Sequence, residues 1–291
     1  MDLTGRSAII TGASQGLGRA IAIEYVKAGA NVLLIARDEK KLAKVADELK
    51  ALALQGKGGI GIAAGGDVSK PEVCKAAVEL AVKALPNLSI LVNNAGIYGP
   101  MGRLEDVDWD DWVQAIEVNL YGPALMCKSI IPHFRKQKYG KIINLSGGGA
   151  TAPLPGISAY AASKAAVVRL TETLAHELQD AKVDVNAIAP GPLNTRLLDE
   201  VIKAGPNRVG KDFYQKSLKQ REEGGVPLEK GAALATYLAS AESDGISGRL
   251  FSAVWDDWPR LAQNREALAK SDIYTLRRIT PEDRGQKWQC A

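Results

Sequence analysis

Tyr160 and Lys164 stand four residues apart in the stretch Tyr160-Ala-Ala-Ser-Lys164. They open an Ala-rich run over residues 159–178 that contains neither Pro nor Gly, a composition that predicts a helix. Four residues apart on a helix, their side chains share one face. A free phenol with a pKa near 10 needs about 4 kcal/mol of help to ionise at neutral pH. An ammonium about 4 Å away supplies energy of that order at an effective dielectric near 20. A Tyr tuned in this way passes a proton to or from a substrate oxygen. Standing alone, the same pair is a weak signal, more often an ordinary helix face than a catalytic one. Its chemistry depends on what the rest of the chain brings to it.

The first element that could bring something is a strand over residues 7–11, followed by Thr11-Gly12-Ala-Ser14-Gln15-Gly16-Leu17-Gly18 and a helix over about residues 19–27. Strand, glycine turn and helix start in this order let the backbone approach a pyrophosphate at a helix N-terminus. No Gly-Lys-Ser/Thr follows, which excludes the nucleoside-triphosphate loop. A second strand, residues 31–36, ends at Arg37, about twenty residues beyond the loop, where an acidic residue would accept ribose hydroxyls and an Arg favours a 2′-phosphate. Lys40 and Lys41 follow closely, while Asp38 and Glu39 offset the sign of the patch, and a helix is predicted over residues 38–52.

Residues 55–66 are Gly-rich, with Ile60 and Ile62 alternating as in a thin strand; Asp67 and Val68 follow, then a Pro71-initiated helix to about residue 85. Residues 88–92, 141–145 and 183–189 read as further buried strands, and 249–253 as a last one. Three of these run into short polar or small residues: Asn93-Asn94-Ala95-Gly96, Ser146-Gly147-Gly148-Gly149 and Pro190-Gly191-Pro192-Leu193-Asn194-Thr195. Residues 109–131 read as one long helix, although Asn119 and Gly122-Pro123 are unfavourable inside it. Residues 228–240 form an amphipathic helix. Strands alternating with helices predict one doubly wound, parallel α/β sheet.

Composition is compatible with that reading. A chain of 291 residues, 46% apolar and 24% charged, suits one large soluble domain. A net charge of +4 gives no argument for nucleic acid. Three widely spaced cysteines (Cys74, Cys127, Cys290) without a Cys-x-x-Cys pattern favour reduced thiols, and His133 and His176 are too far apart for a local metal motif. Neither a signal peptide nor a membrane-spanning run is visible, so the expected location is cytoplasmic.

Taken together, Thr11-Gly12-x-x-x-Gly16-x-Gly18, Asp67, Asn93-Asn94-Ala95-Gly96, Asn119, Tyr160-x-x-x-Lys164 and Pro190-Gly191-x-x-x-Thr195 resemble the short-chain dehydrogenase/reductase family in order and spacing over residues 5–253. The resemblance implies a Rossmann fold and hydride transfer between nicotinamide and a carbonyl or alcohol carbon. Tyr160 would be the general acid/base. Lys164 would lower its pKa and bond the nicotinamide ribose, and Asn119 would hold a water of the proton relay. The implied cofactor set is Gly12, Ser14, Gln15, Gly16, Leu17, Gly18, Arg37, Asp67, Val68, Asn94, Ala95, Gly96, Tyr160, Lys164, Pro190, Gly191 and Thr195. Within it, Asp67 meets the adenine, Asn94 the ribose, and Thr195 the carboxamide. Arg37 favours NADP(H) over NAD(H).

Two departures stand out. The family's catalytic Ser position holds Gly147, so Ser146 becomes the candidate hydroxyl. The family's usual Asp-Gly-Gly after the last strand is replaced by Ala253-Val254-Trp255. The expected organisation is a domain over 1–255, with a substrate lid at about 196–226, and a C-terminal extension over 256–291 carrying Trp258, Tyr274 and Trp288. The extension is expected to pack on this domain or on a neighbouring subunit. The lid holds Lys203, Arg208, Lys211, Lys216, Lys219 and Arg221, as suits an anionic or acyl-carrier-linked substrate or, more commonly, a solvated helix face. A homotetramer or homodimer is implied by the resemblance. A cofactor-binding regulator with a decayed active site is the alternative that the missing Ser raises.

Overall fold

The computed structural model describes residues 1–54 and 59–287. Seven parallel strands form one sheet: β1 Ser7–Thr11, β2 Asn31–Ala36, β3 Gly61–Gly65, β4 Leu88–Asn93, β5 Gly140–Leu145, β6 Val183–Ala189 and β7 Arg249–Ser252, in the order β3-β2-β1-β4-β5-β6-β7. Successive residues of a strand face opposite sides, and here both sides are apolar. Ile10, Leu34, Val92, Ile143 and Ile188 point to one core, with the helices α1 (Gly16–Lys27), α2 (Glu39–Ala53) and a later helix, Leu228–Ala239, against it. Ile9, Leu33, Leu91, Ile142 and Val185 point to the other, covered by α3 (Pro71–Ala84) and two helices that follow β4 and β5. Burial on both faces is why these strands read as continuous apolar runs.

The expected single helix over residues 109–131 is corrected. The chain forms α4 (Trp109–Ile116), one π turn over Glu117–Tyr121, and α5 (Gly122–Gln137). Pro123 has no N–H to offer the carbonyl four residues back, which is that of Asn119, and the wider turn absorbs the mismatch. After β5 comes α6 (Ser158–Glu177), with no Pro or Gly in its interior, and after β6 the segment between Arg196 and Glu223 folds as three helices, α7 (Arg196–Ala204), α8 (Pro206–Val209) and α9 (Lys211–Glu223). Gly205 and Gly210 separate them with φ of +79° and +83°. The helix Leu228–Ala239, here α10, then returns to the core.

The thin strand expected within the Gly-rich stretch 55–66 is β3; residues 55–58 of that stretch lie outside the described set. Beyond β7, the C-terminal segment includes a last short helix, α11 (Arg265–Ala269), and packs on its own chain. Leu250 N–H donates to Tyr274 O (2.8 Å), and Leu276 sits against Ala150, Val168, Ala187 and Leu250. The buried Arg249 guanidinium donates to the carbonyls of Leu268 and Ile273, and Glu172 accepts from Leu276 N–H (2.6 Å). Trp258 lies 5.7 Å from the Tyr237 ring and Tyr274 5.2 Å from Phe251; Trp288 and Cys290 lie outside the described residues. No helix among the described residues is long and apolar enough to cross a membrane.

Candidate active site

Strand order reverses between β1 and β4, and a crevice opens outside their carboxyl ends. The Gly-rich turn is pressed onto the end of β4 there. A Cβ on Gly12, at φ +65°, would lie 2.8 Å from Ala95 Cα, and one on Gly18 would lie 2.4 Å from both Asn94 Nδ2 and Gly12 O. Asn94 closes the junction by donating from Nδ2 to Thr11 O (3.0 Å) and Gly12 O (3.1 Å), while Thr11 Oγ1 accepts from the N–H groups of Asn94 and Ala95. The first turn of α1 carries no acidic side chain, leaving its N-terminus open to an anion.

This crevice is one side of a cleft of about 840 Å³. Of the residues singled out in the sequence, Gly12, Ser14, Gln15, Gly16, Leu17, Arg37, Asp67, Val68, Asn94, Ala95, Gly96, Ser146, Tyr160, Lys164, Pro190 and Thr195 all line it. Gly18, Asn119 and Gly191 do not; they sit behind the wall. Gly191 turns the chain at φ +89°, where a Cβ would meet Val254 at 2.7 Å. Asp38, Lys41, Asn194 and Leu228 line the cleft without having been singled out as site residues. For Asp38 and Lys41 the signal was their place on the first turn after Arg37, masked by their mixed charge.

The Tyr–Lys pair is brought in by α6. Both side chains are buried, at 7% and 4% exposure, and the Lys164 ammonium donates to Leu145 O (2.7 Å) and lies 5.6 Å from the centre of the Tyr160 ring. In this arrangement the expected lowering of the Tyr160 pKa does not occur. Burial, and to a smaller degree the adjacent Tyr98, push the phenol well above its ordinary value, and burial pulls Lys164 down to about 8. The ammonium is directed at a carbonyl, and both groups have lost water. Tyr160 is therefore a proton donor at neutral pH until charge arrives beside it.

At the end of β5, Gly147 and Ser146 divide the position where a hydroxyl was sought. The Tyr160 hydroxyl lies over Gly147, so closely that a Cβ there would come within 2.2 Å of it. Ser146 Oγ is buried, lines the cleft and has no hydrogen-bond partner among the described residues. Asn119, in the π turn, uses its side chain as a clamp. Its Oδ1 accepts from Ile97 N–H (2.9 Å), and its Nδ2 donates to Ile97 O (2.8 Å) and Ser163 Oγ (3.0 Å). Any relay through Asn119 falls to its main-chain carbonyl, which Pro123 leaves without its α-helical partner.

A buried chain escaped the sequence reading: Asn93 Nδ2 donates to Asn144 Oδ1 (2.8 Å), and Asn144 Nδ2 to Thr171 Oγ1 (2.8 Å). It ties β4, β5 and α6 together; Asn93 stands in the motif that closes β4, but nothing in the sequence marks Asn144 and Thr171 as its partners.

Above Tyr160 the segment 196–226 forms an apolar wall. Val201, Val209 and Phe213 pack with Met101, Ile157 and Tyr98 around its ring. Arg196, at the start of that segment, lines the cleft, whereas Lys203, Arg208, Lys211, Lys216, Lys219 and Arg221 are not among the lining residues; Arg221 pairs with Asp199 and Lys219 with Glu223 (3.6 Å).

Comparison with known proteins agrees with this geometry. A family profile described as short chain dehydrogenase matches residues 6–205. A short chain dehydrogenase of Pseudocercospora fijiensis is 39% identical over 198 residues, 67% of this chain and 62% of that protein. The 3beta-hydroxysteroid dehydrogenase 1 of Eggerthella lenta is 36% identical over 255 residues, 85% of this chain and 91% of that one. Among solved structures, a gluconate 5-dehydrogenase from Burkholderia cenocepacia, in complex with NADP and tartrate, superposes with a TM-score of 0.75 at 28% identity, over 86% of this chain and 94% of that one. With the glycine turn, the cleft at the strand-order reversal and the buried Tyr–Lys pair, these matches establish that the chain belongs to the short-chain dehydrogenase/reductase family, oxidoreductases that use a nicotinamide dinucleotide.

Proposed function

We propose that this protein is an NADP(H)-dependent oxidoreductase acting on a small carbonyl or secondary-alcohol substrate, with Tyr160 as general acid/base. The observation that carries the reading is that Tyr160, Lys164 and the partnerless Ser146 Oγ line the same cleft as the glycine turn and Arg37. The cleft's donors suit a dinucleotide. The open N-terminus of α1 and the backbone around Gly12–Gly16 would hold a pyrophosphate, and Asp67 and Val68 on one side of the cleft and Pro190 and Thr195 on another would hold its adenine and nicotinamide ends. When bound, the nicotinamide supplies or takes up the hydride.

The remaining steps belong to the chain's own residues. Tyr160, held protonated by burial, donates to the substrate oxygen in reduction. In oxidation it must accept that proton, which requires positive charge to be brought beside it. Lys164 is the nearest source, and its stored desolvation makes it sensitive to any charge change in the cleft. Ser146 Oγ–H is the second donor to the developing oxyanion. The apolar wall of Met101, Ile157, Val201 and Phe213 excludes water from the reacting groups and favours a substrate with an apolar body; for an anionic or acyl-carrier-linked form the lid brings Arg196 to the cleft, already paired with Glu200 (3.4 Å).

The test is turnover of a panel of ketones and secondary alcohols, followed by nicotinamide absorbance. Tyr160→Phe must abolish turnover while leaving dinucleotide binding intact. The alternative, a cofactor-binding regulator, rests on Gly147 and predicts binding without turnover across the whole panel. A homo-oligomer is part of the proposal; light scattering at micromolar concentration should find a dimer or tetramer, and a monomer would contradict it.

A further inference from the structure

Arg37 has no hydrogen-bond or ion-pair partner among the described residues, although it lines the cleft at the end of β2. The next residue is Asp38, a carboxylate on the same wall. Side by side, the chain thus presents a guanidinium suited to a ribose 2′-phosphate and a carboxylate suited to unphosphorylated ribose hydroxyls. The two ask for different cofactors, and a bare Asp38 would also repel the phosphate that Arg37 attracts.

Asp38 is not bare. Its Oδ1 accepts from Lys41 N–H (3.0 Å) as the N-cap of α2, and its Oδ2 lies 3.3 Å from Lys41 Nζ. Both oxygens are occupied by one residue, whose backbone N–H and ammonium hold the carboxyl below its usual range. The same ammonium reaches Gln15 Oε1 (3.5 Å) across the cleft, on the glycine turn. Lys41 therefore spans from α2 to the turn beside Arg37, with a flexible four-carbon stem and three donors. Lys40, one residue earlier, is not among the residues lining the cleft.

Resting on the NADP(H) reading above, we infer that Lys41 decides the cofactor preference: it withdraws Asp38 from the ribose and supplies the second cation for the 2′-phosphate, opposite Arg37. Gln15 holds that cation over the site by accepting from it. The consequence is a chain whose discrimination is set by a residue outside the β2 terminus, and whose preference shifts toward NAD(H) when that residue loses its charge.

The experiment is calorimetric titration of the full chain, without substrate, with NADP⁺, NAD⁺ and the fragments 2′-AMP and 5′-AMP. Lys41→Met keeps the stem and the backbone cap. It should weaken NADP⁺ and 2′-AMP by about tenfold, the lower end for an exposed charge-assisted contact. NAD⁺ and 5′-AMP should hold or tighten, because Asp38 is released. Lys40→Met, the charge-matched control, should change none of the four. In the double variant Lys41→Met/Asp38→Asn, part of the NADP⁺ affinity should return, since the bared carboxylate is gone. Equal losses for both dinucleotides in Lys41→Met, or no change, would overturn the inference while leaving the NADP(H) reading intact if Arg37→Ala still weakens NADP⁺ alone. If the unmodified chain binds NADP⁺ and NAD⁺ equally and Arg37→Ala is silent, the NADP(H) reading itself fails.

Discussion

Replacing Lys164 by Met should abolish catalysis and, at neutral pH, remove a burden on the fold. Lys164 is 4% exposed, and burial lowers its pKa from 10.5 to about 8. That interval corresponds to an order-of-magnitude cost of about 3 kcal/mol for keeping the group protonated in the folded chain at neutral pH. Met fills a similar volume without charge, so the cost disappears. Against this stands the carbonyl of Leu145, which loses its donor at a price of about 1–3 kcal/mol. At pH 7 the two nearly cancel, so a single stability measurement decides little. The pH dependence decides more. Because the folded-state pKa lies below the unfolded one, the unfolded chain binds more protons between them, and the wild type gains stability as pH rises from about 8 toward 10.5. Lys164→Met cannot. Urea unfolding of both proteins without cofactor at pH 7 and pH 9.5 should show the wild type gaining about 2 kcal/mol relative to the variant. A difference that does not move with pH would refute the idea that Lys164 is a desolvated cation. Turnover should fall at least a hundredfold, on the order expected when acid–base assistance is lost.

Three further outcomes follow from the same site. Ser146→Ala should lower kcat by about a hundredfold, the loss typical of an oxyanion donor, with dinucleotide affinity unchanged; a silent substitution assigns that role to the backbone. Gly147→Ser should reduce activity, because its Cβ would lie 2.2 Å from the Tyr160 hydroxyl and must displace it. Steady-state kinetics that show a gain would refute this geometry. Gly12→Ala, at φ +65° with a Cβ 2.8 Å from Ala95 Cα, should lower stability by about 1–3 kcal/mol and weaken dinucleotide binding together, as read by thermal melts and titration.

Strand and helix positions were legible because the sheet is buried on both faces and its helices are amphipathic or Ala-rich; β1, β2 and β6 fall where apolar runs placed them. The cleft was legible because its glycines, Arg37 and the Tyr–Lys spacing are local features. The relations between distant residues were not. Nothing near Lys164 in sequence announces the Leu145 carbonyl as its partner, so charge proximity was expected to outweigh burial at Tyr160, and it does not. Asn119 announced a disturbance in its helix, but not that it is a π turn or that its side chain would be spent on Ile97 and Ser163. The Asn93–Asn144–Thr171 chain joins residues from three elements, and although Asn93 belongs to a visible motif its pairing with Asn144 and Thr171 has no local signature.

An open sheet ends in two strand edges, and unpaired edges template aggregation. In this chain they are protected by different means. β3 is built from Gly, Ile and Ala, too short and too small in side chain to offer another strand much. β7 is guarded by the segment that follows it, through the Leu250–Tyr274 hydrogen bond, the Arg249 anchors and Leu276 seated on Val168 and Ala187. Because that guard is made after β7, the strand edge stays bare until the chain has been synthesised past Leu276. Proteolysis near residue 256 would uncover the β7 edge of the folded protein, so its resistance to aggregation depends on this segment staying attached.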